Sequence, residues 1–384
     1  MTGAAAHPPP APPLEGREIG RVVGTAPGPT LVVIAGVHGN EPAGIEAVRR
    51  LFSRLAQPDA SLRGELIVLA GNLASLRLGV RYQAKDLNRL WTEERLAEAR
   101  ALPPDARDAE DREQLELTAA IESALSRARG TAHLVDLHTT SATGIPFILF
   151  GDTPAQLDFV SGFPIPILLG LEEQIDGVLT SYWTRRGCVT FACEGGQHLD
   201  PVTIDSLQAV LWLCLDRAGL LERPLPEVEA AFALLDQQRN DLPRVLEVLS
   251  RRAIAPGDAF RMEHGFRNID HARKHQLLAT DRSGDIRAPH DGFVIMPLYQ
   301  GLGGDGFFWG REPGRARLGL SSALRRLRLD RVLEVLPGVT RDPTSSRRLL
   351  VSERAAQLIP DRLFQLLGYR RFRKAGHGLT AERQ

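Results

Sequence analysis

The stretch Leu31-Val32-Val33-Ile34-Ala35-Gly36-Val37-His38-Gly39-Asn40-Glu41-Pro42 decides how the rest of the chain is read. Leu31 to Gly36 is a short run of apolar and small residues, the pattern of an inner parallel strand covered on both faces. The chain turns at Gly39, and a helical pattern follows from Ala43 to Leu55. Pro42 falls where the first helical turn begins, a position that tolerates its missing N–H. His38 and Glu41 therefore stand at the carboxyl end of a strand, the edge at which open α/β sheets collect ligands. One imidazole and one carboxylate across a turn can grip a divalent cation. Two ligands do not make a site, so the chain must supply more.

Further strand ends do so. Glu65–Ala70 is a second apolar strand closed by Gly71-Asn72, and Ala132–His138 is a third, ending at Thr139-Thr140-Ser141. Cys188–Cys193 is another strand, finishing in Glu194 and followed by Gly195-Gly196. Helical patterns lie between them, including an amphipathic segment from Asp205 to Leu221. Strands alternating with helices predict an α/β sheet layer over residues 18–222. Residues 223–252 read as a helical connector. Over 253–320 short apolar runs alternate with Gly, Pro and Asp, which predicts a smaller β-rich C-terminal domain. Residues 321–384 are Arg-rich and read as a partly helical tail.

Composition sets the outer limits. At 384 residues there is room for two domains, taking roughly 150 residues per domain. A hydrophobic content of 43% with 24% charged residues is ordinary for a globular protein. The formal net charge of zero gives no push toward nucleic acid or an anionic membrane. Basic residues are nearly all Arg, with Lys only at 85, 274 and 374, which reads as coding bias. Nowhere do about 18 apolar residues run together, so no membrane span is expected. Residues 1–17 are rich in Pro and Ala and read as a disordered leader without a targeting signal. Cys188, Cys193 and Cys214 lack metal-type spacing and fit a reducing compartment, so a cytoplasmic protein is expected.

His138 ends its strand as His38 ends its own. With Glu41 they give two imidazoles and one carboxylate, the donor count of a catalytic zinc that keeps a fourth position open for water. The expectation is one zinc ion per chain. Asp136 alternates onto the face of His138 and can orient that imidazole. Glu194, at a neighbouring strand end, is the candidate general base. The polar stretch Arg81–Trp91 offers the anion side: Arg89 for a carboxylate, with Asn88 adding a hydrogen bond, and Arg81 for a developing oxyanion.

The segments Gly36-Val37-His38-Gly39-Asn40-Glu41, Arg81 to Arg89 with its Asp-Leu-Asn-Arg core, Asp136 to Ser141, and the strand ending in Glu194 carry a family likeness. On them the chain resembles the succinylglutamate desuccinylase/aspartoacylase family, a branch of the zinc carboxypeptidase superfamily. The resemblance is fuller over 18–222 than over 245–320. It implies a zinc-carboxypeptidase-like mixed sheet flanked by helices, with a β-rich C-terminal domain narrowing the channel. It further implies His38, Glu41 and His138 as zinc ligands, Arg81 polarising the amide carbonyl, Asn88 and Arg89 on the substrate carboxylate, and Glu194 as base. The activity implied is hydrolysis of an N-acyl amino acid, and a homodimer is a family-level expectation. Aspartoacylases set a tyrosine and an arginine ahead of the catalytic glutamate to read an acyl-side carboxylate. Here Tyr182, Arg185 and Arg186 are near without matching that spacing, and Arg185, with Arg186 as the alternative, is expected to read the substrate. The C-terminal stretch Gly304–Trp309 has aromatic rings but no tyrosine.

The expected function is a zinc-dependent amidohydrolase, or deacylase, acting on a small N-acyl amino acid or related carboxylated amide. A metallocarboxypeptidase acting on peptides is the alternative, and a non-catalytic metal-binding protein is less favoured. Gly301 to Gly306 formally matches G-x-G-x-x-G, but Phe307-Phe308-Trp309 follows instead of a helix, so a dinucleotide site is rejected in favour of a turn between strands.

Overall fold

The computed structural model describes residues 14–382 apart from 256, 301–302, 315–323, 325–328, 344, 346, 361–362, 365–366, 370 and 376–377. The opening stretch folds as expected: β1 (Glu18–Val23) leads into β2 (Ala26–Ala35), and α1 (Ala43–Leu55) follows the turn. Next come β3 (Arg63–Ala70), α2 (Leu73–Leu78), α3 (Glu93–Ala101), α4 (Ala109–Ser126) and β4 (Ala132–Thr140). The domain continues through β5 (Phe147–Leu149), α5 (Pro154–Val160), β6 (Ile167–Leu169), α6 (Leu179–Arg185), β7 (Val189–Gln197) and α7 (Pro201–Arg217).

The run from Leu31 to Ala35 is fully buried, and its alternate residues serve two cores. Leu31, Val33 and Ala35 pack with α1, α5 and α7 on one face, while Val32 and Ile34 pack with α3, α4 and α6 on the other. A strand covered on both sides needs no polar alternation, which is why this segment reads as an unbroken apolar run.

After α8 (Pro226–Arg239) the chain returns to the sheet as β8 (Val245–Ala253). The connector expected to be helical over 223–252 is thus half helix and half strand; Val245, Leu246 and Val248 are apolar at positions that also suit a helix, and pairing with β6 decides for strand. Beyond it lie β9 (Arg261–Met262), β10 (Asp270–Ala272), β11 (Leu277–Asp281), β12 (Gly284–Arg287), β13 (Gly292–Ile295) and β14 (Asp305–Arg311). The large sheet has the order β1-β3-β2-β4-β7-β5-β6-β8-β14-β13-β10, and β9, β11 and β12 form a small antiparallel sheet. The expected β-rich region is therefore present, but three of its strands extend the main sheet. Gly301 and Leu302 lie outside the described residues, and Asp305–Arg311 is strand, not the helix a dinucleotide loop requires.

The Arg-rich tail is only partly helical, over Leu329–Val335 and α9 (Glu353–Leu358). It also carries β15 (Val339–Arg341), β16 (Arg348–Ser352), β17 (Arg371–Ala375) and β18 (Gly378–Glu382), a four-stranded antiparallel sheet. Residues 1–13 of the expected leader lie outside the described residues. Arg17, assigned to that leader, is tied to the carbonyls of Ala70 and Gly71 and to Glu113. No helix among the described residues is long and apolar enough to cross a membrane.

Candidate active site

Strands β2, β4 and β7 are parallel neighbours in the sheet centre, and their carboxyl ends meet. The register pairs His138 of β4 with Glu194 of β7, so those side chains leave adjacent strands at one level. His38 reaches the same point from the turn after β2. That turn needs its glycines. Gly36 has φ +74, and a Cβ on Gly39 would lie 2.1 Å from the backbone of Ser75. The Glu41 N–H donates to the His38 carbonyl at 3.1 Å, folding the carboxylate back beside the imidazole.

The donor atoms of His38, Glu41 and His138 lie within 4.8 Å of one another, and all three residues are buried. Glu41 bridges the imidazoles, with Oε1 2.8 Å from His38 Nδ1 and Oε2 3.2 Å from His138 Nδ1. Oε2 also accepts the Thr139 N–H at 2.9 Å. The outer nitrogens face carboxylates: His38 Nε2 lies 3.1 Å from Asp86, and His138 Nε2 lies 2.8 Å from Asp136. An outer carboxylate accepting the Nε2–H fixes the tautomer and leaves the Nδ1 lone pair of each ring on the Glu41 side. The arrangement fits a divalent cation, because both imidazoles turn the same nitrogen toward a shared carboxylate.

The loop before α3 builds the second wall. Asp86 accepts the Asn88 N–H at 2.9 Å, starting the turn Leu87–Arg89, and its other oxygen accepts from Arg81 at 3.1 Å. Arg81 also points one guanidinium nitrogen at Glu41, 3.5 Å away. Asn88 accepts the Leu179 N–H at 2.9 Å, and its amide nitrogen stands 3.5 Å from His138. Arg89 donates to the Asn88 carbonyl at 2.8 Å and to Asp305 of β14 at 2.9 Å.

Burial and charge act in opposition here. Burial alone would raise the Glu41 carboxyl, but the charge of His38 and hydrogen bonds from both imidazoles outweigh it and hold Glu41 well below the usual range. Asp86 behaves alike, with His38, Arg81 and Arg89 overcoming its burial. Burial would lower His138, yet Asp136 and Glu41 raise it well above an ordinary histidine. Glu194 is the exception. Burial pushes it up to about 8, Glu41 and Asp136 add to this, and His138 and Arg81 oppose it without prevailing. Glu194 Oε2 is buried without a hydrogen-bond partner, as is one oxygen of Asp136. A buried orphan acceptor is costly unless something else serves it.

These groups line a cleft of about 920 Å³, open mouth included. His38, Glu41, Arg81, Asn88, Arg89, His138 and Glu194 all face it, and Met296, Leu298, Gln300, Asp305 and Phe308 close it from the C-terminal side. Arg185 is not among the lining residues. Arg186 stacks on the Tyr182 ring at 3.6 Å and pairs with Glu93, while Tyr182 is wholly buried against Trp91 and Trp183. The structure thus does not bring the expected acyl-side reader to the cleft. Asp86 has no role that the sequence alone assigns, although it sits inside the Asp-Leu-Asn-Arg core. Glu172, Asp305 and His198 carried no signal at all. His198 Nδ1 lies 2.6 Å from the Thr139 hydroxyl, and burial lowers its pKa.

Residues 27–212 match the family model of the Succinylglutamate desuccinylase/Aspartoacylase catalytic domain. Over those residues the chain is similar to the succinylglutamate desuccinylase/aspartoacylase family. It is similar to the succinylglutamate desuccinylase of Burkholderia mallei, 34% identical over 172 residues that cover 43% of this chain and 47% of that one. With the Burkholderia lata protein of the same name it shares 32% over 221 residues, 54% of this chain and 61% of the relative. The chain spans about half the length of the curated relatives it matches. Solved family structures share the fold. That of succinylglutamate desuccinylase/aspartoacylase from Rhodobacter sphaeroides matches with a TM-score of 0.56 at 18% identity, covering 77% of this chain and 88% of that one. The Chromobacterium violaceum succinylglutamate desuccinylase matches at 0.54 and 21%, covering 76% and 86%.

Proposed function

We propose that this chain is a metal-dependent deacylase that hydrolyses the amide bond of a small N-acyl amino acid or related carboxylated amide. The observation that carries the reading is the convergence of His38, Glu41 and His138 within 4.8 Å, with the partnerless Oε2 of Glu194 opening on the same cleft.

His38, Glu41 and His138 would hold one zinc ion per chain, with Asp86 and Asp136 fixing the rings. A zinc ion so held would supply Lewis acidity, polarising a carbonyl oxygen and lowering the pKa of water to about 7. Glu194 Oε2 accepts the proton of the attacking water and delivers it to the leaving amine nitrogen. Burial suits that role, since a base with a raised pKa takes the proton more readily. The Arg81 guanidinium faces the oxyanion that forms as water adds. Arg89 keeps N–H groups beyond the two already engaged and, with Asn88, holds the carboxylate of the amino-acid half. A peptidase acting on long chains is disfavoured by Met296, Leu298, Gln300 and Phe308, which crowd the cleft.

The test is hydrolysis of N-acyl amino acids by the full chain before chelation, after it, and after zinc is restored. Activity that vanishes and returns with the metal supports the reading; cleavage indifferent to chelation overturns it.

A further inference from the structure

The cleft has two unlike walls. Arg81, Asn88 and Arg89 form the polar one. The other begins at Ala192, two residues before Glu194 on β7 and so on its face of the strand. Leu149 of β5 pairs directly with Ala192, and Leu171, Ile175, Val178 and Phe308 continue the surface. All six belong to one hydrophobic cluster joining the sheet to β14.

Among the described residues, no Lys or Arg forms part of this wall. Arg81 and Arg89 are the only Lys or Arg among the described lining residues. Both stand on the polar wall, Arg81 beside Asp86 and Glu41 and Arg89 beside Asp305, where the reading above gives them the oxyanion and the carboxylate of the amino-acid half. Arg251 closes on Asp305 and on the Gln174 carbonyl and is not among the described lining residues. The ionisable side chain set beside that surface is an acid, Glu172, whose carboxyl group accepts from Thr180 and Ser181 at 2.6 and 2.9 Å. A second substrate carboxylate placed here would lose water and gain no counter-charge, a costly arrangement.

Resting on the deacylase reading above, we propose that the acyl half of the substrate is uncharged and apolar, and that Leu149, Leu171, Ile175, Val178, Ala192 and Phe308 form its pocket. An aliphatic chain of about four to six carbons or a small aromatic acid gains from each group it buries, at about fourfold per methylene. A dicarboxylic acyl group such as succinyl is excluded by the same wall.

The experiment compares N-acetyl, N-pentanoyl and N-succinyl derivatives of glycine, glutamate and arginine with the zinc-loaded full chain. The expected result is a kcat/KM for N-pentanoyl at least about tenfold above both others, whichever amino acid is attached. Phe308→Leu is expected to lower the pentanoyl value more than the acetyl value. A succinyl value equal to or above the pentanoyl value overturns the proposal. Calorimetric binding of the same compounds separates this failure from failure of the deacylase reading. Tighter binding of N-pentanoyl than of N-succinyl compounds without hydrolysis keeps the apolar pocket and removes the deacylase; equal or reversed affinity removes the pocket.

Discussion

His138 and Glu194 are register partners on adjacent parallel strands, so an imidazole tied to Glu41 and a carboxylate with an unpartnered oxygen share one strand-end level. Neither depends on a flexible loop for its position. Both are buried, at 4% and 5% exposure. A site assembled this way would allow cation binding and proton transfer to be altered separately.

Glu194→Gln keeps the side-chain volume and removes the proposed base. The expected outcome is a loss of roughly 10²- to 10⁴-fold in kcat with KM little changed. Zinc content measured by mass spectrometry should stay near one per chain. Loss of zinc from the variant would show that Glu194 belongs to the cation-holding set.

Asp86→Asn and Asp136→Asn each weaken the acceptor behind one imidazole. Zinc affinity, measured by competition with a chromophoric chelator, should fall roughly 10- to 100-fold in each. Asp86→Asn should be the more disruptive, because the same carboxylate also receives Arg81 and starts the Leu87–Arg89 turn. Unchanged affinity in both variants would mean that the outer carboxylates do not orient the rings.

Arg89→Ala removes the proposed carboxylate clamp and also its bond to Asp305. KM for carboxylated substrates should rise about 10- to 100-fold, the worth of one charge-assisted hydrogen bond. Amidated analogues should be affected much less. An equal loss for both compounds would assign Arg89 to holding β14 instead of the substrate.

His133 lies on β4 with its ring tilted against Phe159 at 4.6 Å, and burial lowers its pKa to about 4 from 6.5. A folded state that keeps this ring neutral binds fewer protons than the unfolded chain between those values. Its contribution is therefore complete above pH 6.5, shrinks as pH falls toward 4, and levels off below that. The loss at about pH 5 is on the order of 2 kcal/mol. Urea midpoints of the wild type and His133→Leu, compared at about pH 7.5 and about pH 5, should show the variant losing less stability on acidification. Parallel losses would rule out His133 as the titrating group.

The order of apolar runs and turn glycines along residues 31–42, 65–72, 132–141 and 188–196 determined the sheet layer and put His38, Glu41, His138 and Glu194 at strand ends. That much is local. A strand buried on both faces must be apolar throughout, and its first polar residues must appear where it leaves the core. The sequence did not determine which strands are neighbours, and neighbourhood fixes everything finer. Only pairing of β4 with β7 sets Glu194 beside His138. Only the fold of the loop after α2 brings Asp86 behind His38, and only the return of β14 to the main sheet sets Asp305 on Arg89 and Phe308 in the cleft wall. The place of Arg185 is decided in the same way: it precedes Glu194 without matching the aspartoacylase spacing, α6 packs Tyr182 and Trp183 into the core, and Arg185 is not among the described residues that line the cleft. Contacts between residues far apart in sequence depend on which faces bury the most apolar surface together, and no short stretch of chain records that choice.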